Sequence, residues 1–458
     1  MTKNTISKSI FREYDIRGIV DETLFEKNVY LIAKGFCSLN KKLKSVVVCR
    51  DGRLSSPLFS ESLVKGILES GVDVIDIGCG PTPMLYFASM KLNADAGIMV
   101  TGSHNPKNHN GFKIVLNNKS FFGNDIKRLY AFILKNEFIK GTGVVTKRDI
   151  RKDYITCLLE KSGPFPNIKV LWDCGNGATG EIVSLLVKEL PGQHKVLFSK
   201  IDGNFPNHHP DPTIEKNLLH LKESMKLENA DLGVSFDGDG DRIGVLSKDK
   251  NLIPGDLLTA FLAGSILRKK KNEPIILDIK SSKTAMKLIE NQNGKAVISR
   301  TGHSLIKTKL KEISSPLAGE MSGHIFFNDN WFGFDDGIYS ALRCLQEIRA
   351  REGGFNTFLK NIPKTFVSPE IRINCADEIK FRVVEKVKNS SSKDYNKSDL
   401  LTIDGIRVTS DIGWWLLRAS NTQAALIARA EGNSKRDLEK LLKEISMYLD
   451  DAGISWNP

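Results

Sequence analysis

Three times along this chain an apolar run of strand length ends in a short polar motif punctuated by glycine. Segments of helical character separate such runs. Ser45–Cys49, Val72–Ile77 and Ala96–Val100 read as strands, and Leu54–Glu69 as a helix between the first two. The alternation recurs from Ile168 to Leu246, and again from Pro274 to Phe327 with Ile275–Ile279 and Ala296–Ser299 as strands. It predicts repeated α/β units, each delivering one motif after a strand. The repetition is one of pattern and not of letters. At 458 residues the chain is too long for one core, which predicts three or four domains.

The first motif is Thr101-Gly102-Ser103-His104-Asn105-Pro106, directly after Ala96–Val100. A strand presents such a serine rigidly at its end, where α/β sheets carry their reactive groups. Gly102 allows close approach to the backbone, and Pro106 keeps Asn105 out of helical geometry. Taken alone, it is equally an exposed serine in a turn. The second motif, Asp237-Gly238-Asp239-Gly240-Asp241-Arg242, lies between the strand-like Leu232–Phe236 and Ile243–Leu246. If extended, it points three carboxylates the same way, and they repel unless a cation joins them. Oxygen-only donors select a hard ion, Mg²⁺ before Ca²⁺. A calcium EF-hand fails, since Arg242 and Lys248 stand where its loop needs glycine and glutamate. The third motif, Gly319-Glu320-Met321-Ser322-Gly323-His324, offers a carboxylate, a hydroxyl and an imidazole suited to sugar hydroxyls. Alone, it reads as a polar turn. Near the C-terminus, Arg418, Ser420, Asn421 and Thr422 supply a guanidinium fork, two hydroxyls, an amide and turn N–H groups, a composition that cradles phosphate.

With Phe11–Gly18, Asn110-Gly111-Phe112-Lys113 and Thr301-Gly302-His303-Ser304, these motifs in this order resemble the α-D-phosphohexomutases along essentially the whole chain. The resemblance is closest to the bacterial phosphomannomutase/phosphoglucomutase enzymes. It implies three similar mixed α/β domains and a smaller C-terminal α+β domain around a central cleft. The expected divisions are 1–149 with the serine loop, 150–252 with the metal loop, 253–365 with the sugar loop and 366–458 with the phosphate loop. It implies that Ser103 carries a phosphoryl group between C1 and C6 of a hexose through a 1,6-bisphosphate, with Mg²⁺ held by Ser103, Asp237, Asp239 and Asp241. His104 and Lys113 are then the proton-handling groups near the serine, and Arg17 orients the phosphoserine. Tyr14, Arg242, Lys280, His303, Glu320, Ser322, His324, Arg418, Ser420, Asn421 and Thr422 contact substrate. Sequence does not assign acid and base among these groups, because pKa depends on burial. Glucose or mannose 1,6-bisphosphate is the expected activator. Gln423-Ala424 replaces the family's usual proline after the next polar residue, a change in loop stiffness.

Within the family, Met321 stands where phosphoglucosamine mutases carry glutamine, which leans toward mannose and glucose phosphates. A nicotinamide-dependent oxidoreductase is the rival, because Gly175-Asn176-Gly177-Ala178-Thr179-Gly180 fits a dinucleotide fingerprint with Asp202 downstream. That rival leaves three motifs without a role, and a tight strand-to-helix turn explains the glycines. A non-catalytic sugar-phosphate sensor would have lost Ser103 or a carboxylate of the triplet.

The excess of 66 basic over 54 acidic residues is spread along the chain without interleaved aromatics, so it predicts a solvated surface that attracts anionic sugars. No nucleic-acid or membrane partner is expected, and no apolar run is long enough to span a bilayer. The seven scattered cysteines, without a C-x-x-C pair, suit free thiols in a cytoplasm. Residues 1–10 read as a short disordered tail, and Asn389–Ser398 as an exposed loop. A helix from Ser434 carries Leu438, Leu441, Leu442 and Ile445 on one apolar stripe. A monomer or weak dimer is expected, its C-terminal domain the most mobile.

Overall fold

The computed structural model describes residues 6–421 and 424–458 and contains four sheets. Three of them share one four-strand plan. A first strand lies between its successor and a third strand, all parallel, and a fourth strand returns antiparallel beside the third. In the first sheet these are Ser45–Arg50, Asp73–Cys79, Ala96–Val100 and His109–Leu116. In the second they are Ile168–Asp173, Gly192–Leu197, Leu232–Phe236 and Ile243–Leu246. In the third they are Pro274–Asp278, Lys295–Ser299, Leu317–Gly319 and Ile325–Phe327. The central strands are buried on both faces, which is why their sequences run continuously apolar.

The shared plan explains the repeated motifs. Residues 101–108, 237–242 and 320–324 each fill the connection from the third strand to the fourth. That connection leaves the carboxyl end of a parallel strand, where α/β sheets bind ligands. The fourth sheet is antiparallel and built on Ile406–Ser410, Gly413–Ala419 and Ala425–Gly432. Helices Lys380–Asp394 and Lys435–Asp451 pack their apolar residues against it. Ser434 caps the second helix by accepting from Asp437 N at 3.1 Å.

One apolar core runs continuously through the first three units, from Val47 and Met99 through Trp172 and Phe236 to Leu277 and Tyr339. The fourth unit has a core of its own, joined to the third by a small cluster of Ile279, Trp414 and Leu416.

Two expectations need correction. Asn389–Ser398 is not a loop up to Asp394, because helix Lys380–Asp394 runs through it. Val383, Val384, Val387 and Ser391 recur at helical spacing on its buried face, and this stripe overrides the loop-like composition. Residues 1–5 lie outside the described residues, but Ile6 and Ile10 are buried in the first unit's core, so residues 6–10 are not a tail. All seven cysteines are unpaired thiols. Among the described residues no helix is long and apolar enough to cross a membrane.

Candidate active site

Ser103 sits at the centre of a buried cluster with its backbone in the left-handed region, φ 48°. Serine adopts that conformation rarely, so neighbouring groups must enforce it. Thr101 Oγ1 accepts from Ser103 N at 2.8 Å and donates to Asp51 Oδ2, also at 2.8 Å. Asp51 Oδ2 also accepts from Gly102 N at 3.1 Å. The buried Arg53 guanidinium donates to the carbonyls of Ser103, Asn105, Pro106 and His109 at 2.6–3.0 Å. A Cβ on Gly102 would lie 2.2 Å from Arg53 Nε, so glycine is required there.

The carboxylate triplet meets this serine from the second unit. Ser103 Oγ donates to Asp237 Oδ2 at 2.8 Å and lies 3.1 Å from His104 Nδ1. A Cβ on Gly238 would come within 2.5 Å of Ser103 O, so the glycines between the acids let the two loops touch. The acids are fully buried and form a turn rather than an extended run, with their nearest oxygens within 4.8 Å of one another. Lys113, on strand His109–Leu116, donates to Asp239 Oδ2 at 2.7 Å and pairs with Asp241. Thr82 Oγ1 donates to Asp239 Oδ2 at 2.6 Å.

Burial and the neighbouring acids push the Asp237 carboxyl well above its ordinary range. Burial also acts to raise Asp239, but the Lys113 ammonium overrules it and holds that carboxyl far below the usual value. Oδ1 of Asp239 and Oδ1 of Asp241 are buried without a hydrogen-bond partner. Oxygen donors crowded together, with unpaired atoms, fit a small hard divalent cation. Arg17, on strand Ile16–Ile19, pairs with Asp15 but keeps Nε and Nη1 buried and unpartnered, donors suited to an anion beside the serine. Burial, aided by Arg242, Arg17 and Lys113, pushes His104 well below the ordinary histidine value, so its ring is neutral.

The third and fourth units close the other side. Arg242 Nε donates to His324 Nε2 at 2.9 Å, which links the carboxylate loop to the Glu320–His324 loop. The His303 and His324 rings stack with centroids 5.5 Å apart. Glu320 Oε1 accepts from Gly302 N at 2.7 Å, and its Oε2 from Ser322 Oγ at 3.0 Å. Tyr14 OH donates to Thr301 O at 2.9 Å and accepts from Asn421 Nδ2 at 2.6 Å, so the first unit touches the fourth here. Burial, then the Asp404 charge, pushes the Tyr14 phenol up to about 12. Arg418 pairs with Asp404 at 3.0 Å, and Ser420 is buried beside it in sequence. Lys280 lies 3.2 Å from Glu370 and 3.8 Å from Asp278. Thr422 and Gln423 lie outside the described residues.

The structure thus gathers Ser103, His104, Lys113, Arg17, the three aspartates, Arg242, His303 and His324 into one polar cluster. Tyr14, Glu320, Ser322, Lys280, Arg418 and Asn421 sit where the first, third and fourth units meet. Sequence reading missed Asp51, Arg53, Thr82, Lys307, Asp335 and Asp404. Asp51-Gly52-Arg53 could have been found, because it too leaves the carboxyl end of a parallel strand. Gly175–Gly180 is a strand-to-helix turn: Gly177 packs against Gly238, behind the carboxylates.

Models of the phosphoglucomutase/phosphomannomutase alpha/beta/alpha domains I, II and III match residues 8–140, 152–250 and 254–366, and that family's C-terminal domain matches 370–446. A phosphomannomutase/phosphoglucomutase of Pseudomonas aeruginosa is 41% identical over 443 residues, covering 95% of this chain and 94% of the relative. A phosphoglucomutase of Neisseria meningitidis is 36% identical over 449 residues, covering 97% of each. A crystal structure of a phosphoglucomutase/phosphomannomutase family protein from Burkholderia thailandensis matches with a TM-score of 0.92 at 36% identity, covering 99% of both chains.

Proposed function

Because this chain belongs to the phosphoglucomutase/phosphomannomutase family and interconverts hexose 1-phosphates and hexose 6-phosphates, we propose that Ser103 is the side chain that carries the phosphoryl group. The observation that carries this reading is the position of Ser103 Oγ, buried and 2.8 Å from Asp237 of the carboxylate triplet. Asp237, Asp239, Asp241 and Ser103 would hold Mg²⁺. When bound, that ion draws charge from the phosphoryl oxygens, a contribution of several kcal/mol in phosphoryl transfer. The protein's remaining work is positioning and electrostatics.

Arg17 orients the phosphoserine through its free N–H groups. His104 and Lys113 are the proton-handling groups beside the serine oxygen. His324, from the opposite unit, takes the proton of the attacking sugar hydroxyl. Glu320 and Ser322 hold the sugar's ring hydroxyls, and Arg418, Ser420, Asn421 and Thr422 hold the phosphate that is not reacting. A hexose 1,6-bisphosphate then turns end for end, so that the phosphate returned to Ser103 is the one at its other end. Glucose and mannose differ only at the 2-hydroxyl, and a grip on other hydroxyls accepts both. The relatives include both phosphoglucomutases and phosphomannomutases, which agrees with this breadth.

The test incubates the protein with glucose 1,6-bisphosphate and Mg²⁺ and measures its intact mass. Wild type gains one phosphoryl group, located at Ser103 by peptide mapping, and turns over glucose and mannose 1-phosphates. Ser103→Ala gains none and loses turnover. Phosphorylation elsewhere, or full turnover by Ser103→Ala, rejects the assignment. Faster turnover of glucosamine 1-phosphate rejects the substrate choice alone.

A further inference from the structure

We propose that Asp335 is a positioning residue that fixes the tautomer and orientation of His324, and that Lys307 holds Asp335 in place for this. The proposal rests on reading His324 as the sugar-side base. Neither residue belongs to any of the three motif loops.

The Asp335 carboxylate is fully buried. Its Oδ1 accepts from Lys307 Nζ at 2.9 Å. Its Oδ2 lies 3.0 Å from His324 Nδ1 and 3.6 Å from His303 Nδ1. On the other edge of the His324 ring, Arg242 Nε donates to Nε2 at 2.9 Å. A guanidinium has N–H donors and no acceptor, so Nε2 must present a lone pair. With Nε2 accepting, the ring proton belongs on Nδ1, whose nearest acceptor is Asp335 Oδ2 at 3.0 Å, although the two atoms lie off the axis of a hydrogen bond. Asp241 Oδ1, at 3.6 Å, is the more distant acceptor.

This tautomer puts the basic lone pair on Nε2. When Arg242 turns to a phosphate oxygen, Nε2 can accept the proton of the sugar hydroxyl. The hydroxyl O–H bond breaks as Nε2–H forms, and the freed oxygen pair attacks phosphorus while the bond from phosphorus to Ser103 Oγ breaks and that oxygen takes a proton from the Lys113 ammonium. The imidazolium that forms keeps its Nδ1–H against a carboxylate, as a base held by an acid requires. A misplaced ring would present N–H to the hydroxyl and could take no proton.

Lys307 completes the arrangement. It stands four residues after His303 on helix His303–Glu312, so both side chains leave the same face. Its ammonium also lies 4.5 Å from the centroid of the Tyr86 ring, which belongs to the first unit. With Oδ1 occupied, the Asp335 carboxylate cannot swing away from the histidines. Asp241, His324 and Asp335 lie close enough to hold a cation. The Lys307 ammonium and the Arg242 guanidinium already flank them, which favours a proton there over a metal.

The test uses the full-length protein labelled with ¹⁵N-histidine, with His324 identified by the signals missing in His324→Gln. Long-range proton–nitrogen correlation should show His324 of the wild type as the Nδ1–H tautomer. Asp335→Asn should move it to a mixture, lower kcat for glucose 1-phosphate by about a hundredfold or more, and leave KM within about threefold, as loss of a tautomer-setting carboxylate does elsewhere. Phosphorylation of Ser103 by the bisphosphate should persist. Asp335→Glu should recover part of kcat. A wild-type His324 with its proton on Nε2, or an Asp335→Asn variant that keeps both kcat and the tautomer, overturns the proposal. If Asp335→Asn fails to fold, Lys307→Gln should show the same tautomer mixing with a smaller loss of kcat, and an unchanged His324 spectrum there overturns it. Full activity in His324→Gln would instead remove His324 as the base, while the tautomer measurement still judges Asp335.

Discussion

A single buried arginine holds the loop on which Ser103 stands. Arg53 has its side chain out of solvent, pairs with Asp51 at 3.2 Å and satisfies four backbone carbonyls of residues 103–109. Arg53→Met keeps much of the volume but leaves Asp51 a buried charge without its partner, which costs about 3–5 kcal/mol. The expected outcome is a denaturant midpoint lowered accordingly, with Ser103 phosphorylation lost in whatever protein remains folded. A variant with wild-type stability and a phosphorylatable serine would contradict this account. Ser103 illustrates the same dependence, since its left-handed backbone persists because Thr101, Asp51 and Arg53 over-determine it.

Elements meet in pairs at this site, and one pairing carries a pH signature. The turn after strand Ile168–Asp173 is braced by His208, whose Nε2 lies 3.0 Å from both Asp173 oxygens and whose Nδ1 lies 3.0 Å from His209 O. Only the imidazolium donates at both nitrogens. Burial opposes its charge, but hydrogen bonding and attraction to Asp173 raise its pKa above the ordinary value. A raised folded pKa means that this stabilisation is fully present below the unfolded value of about 6.5 and is lost as pH climbs through the folded one. Melting temperature should therefore fall from neutral pH upward more steeply in wild type than in His208→Gln. Parallel pH profiles would show that the pair contributes nothing. The helix over Lys380–Asp394 teaches a different lesson at this scale. Ser, Lys and Asn compose a loop on paper, yet a valine stripe facing a sheet decides for helix.

For the whole molecule, the division of the core sets what can move. The first three units share one continuous apolar cluster, whereas the fourth has its own. Among its contacts are the small cluster around Trp414, Arg407 donating to Ile279 O and Ser281 O at 2.8 Å, Thr284 and Lys283 on Glu431, Lys280 on Glu370, and Asn421 on Tyr14. Moving it costs far less buried apolar area than separating the other three. Small-angle scattering should show a smaller radius of gyration when glucose 1-phosphate is added. An unchanged profile at saturating substrate would mean that the fourth unit does not close.

The strands Ala96–Val100, Leu232–Phe236 and Ile243–Leu246 were readable to the residue, because continuous apolar runs bounded by glycine-rich turns leave little choice. The three motifs and their order were readable for the same reason, since turn chemistry is local. What the sequence could not contain is distance. Lys113 and Asp239 lie 126 residues apart in sequence, and Ser103 and Asp237 lie 134 apart; only the packing of the first unit's strand ends against the second's brings them into contact. Arg53 had a local signal only in its place after a strand, and Asp335 and Lys307 had none, since a charged residue in sequence looks like surface. Tertiary burial alone turned them into the brace of the serine loop and the hold on His324, because a charge removed from water must find its partner wherever the fold places one.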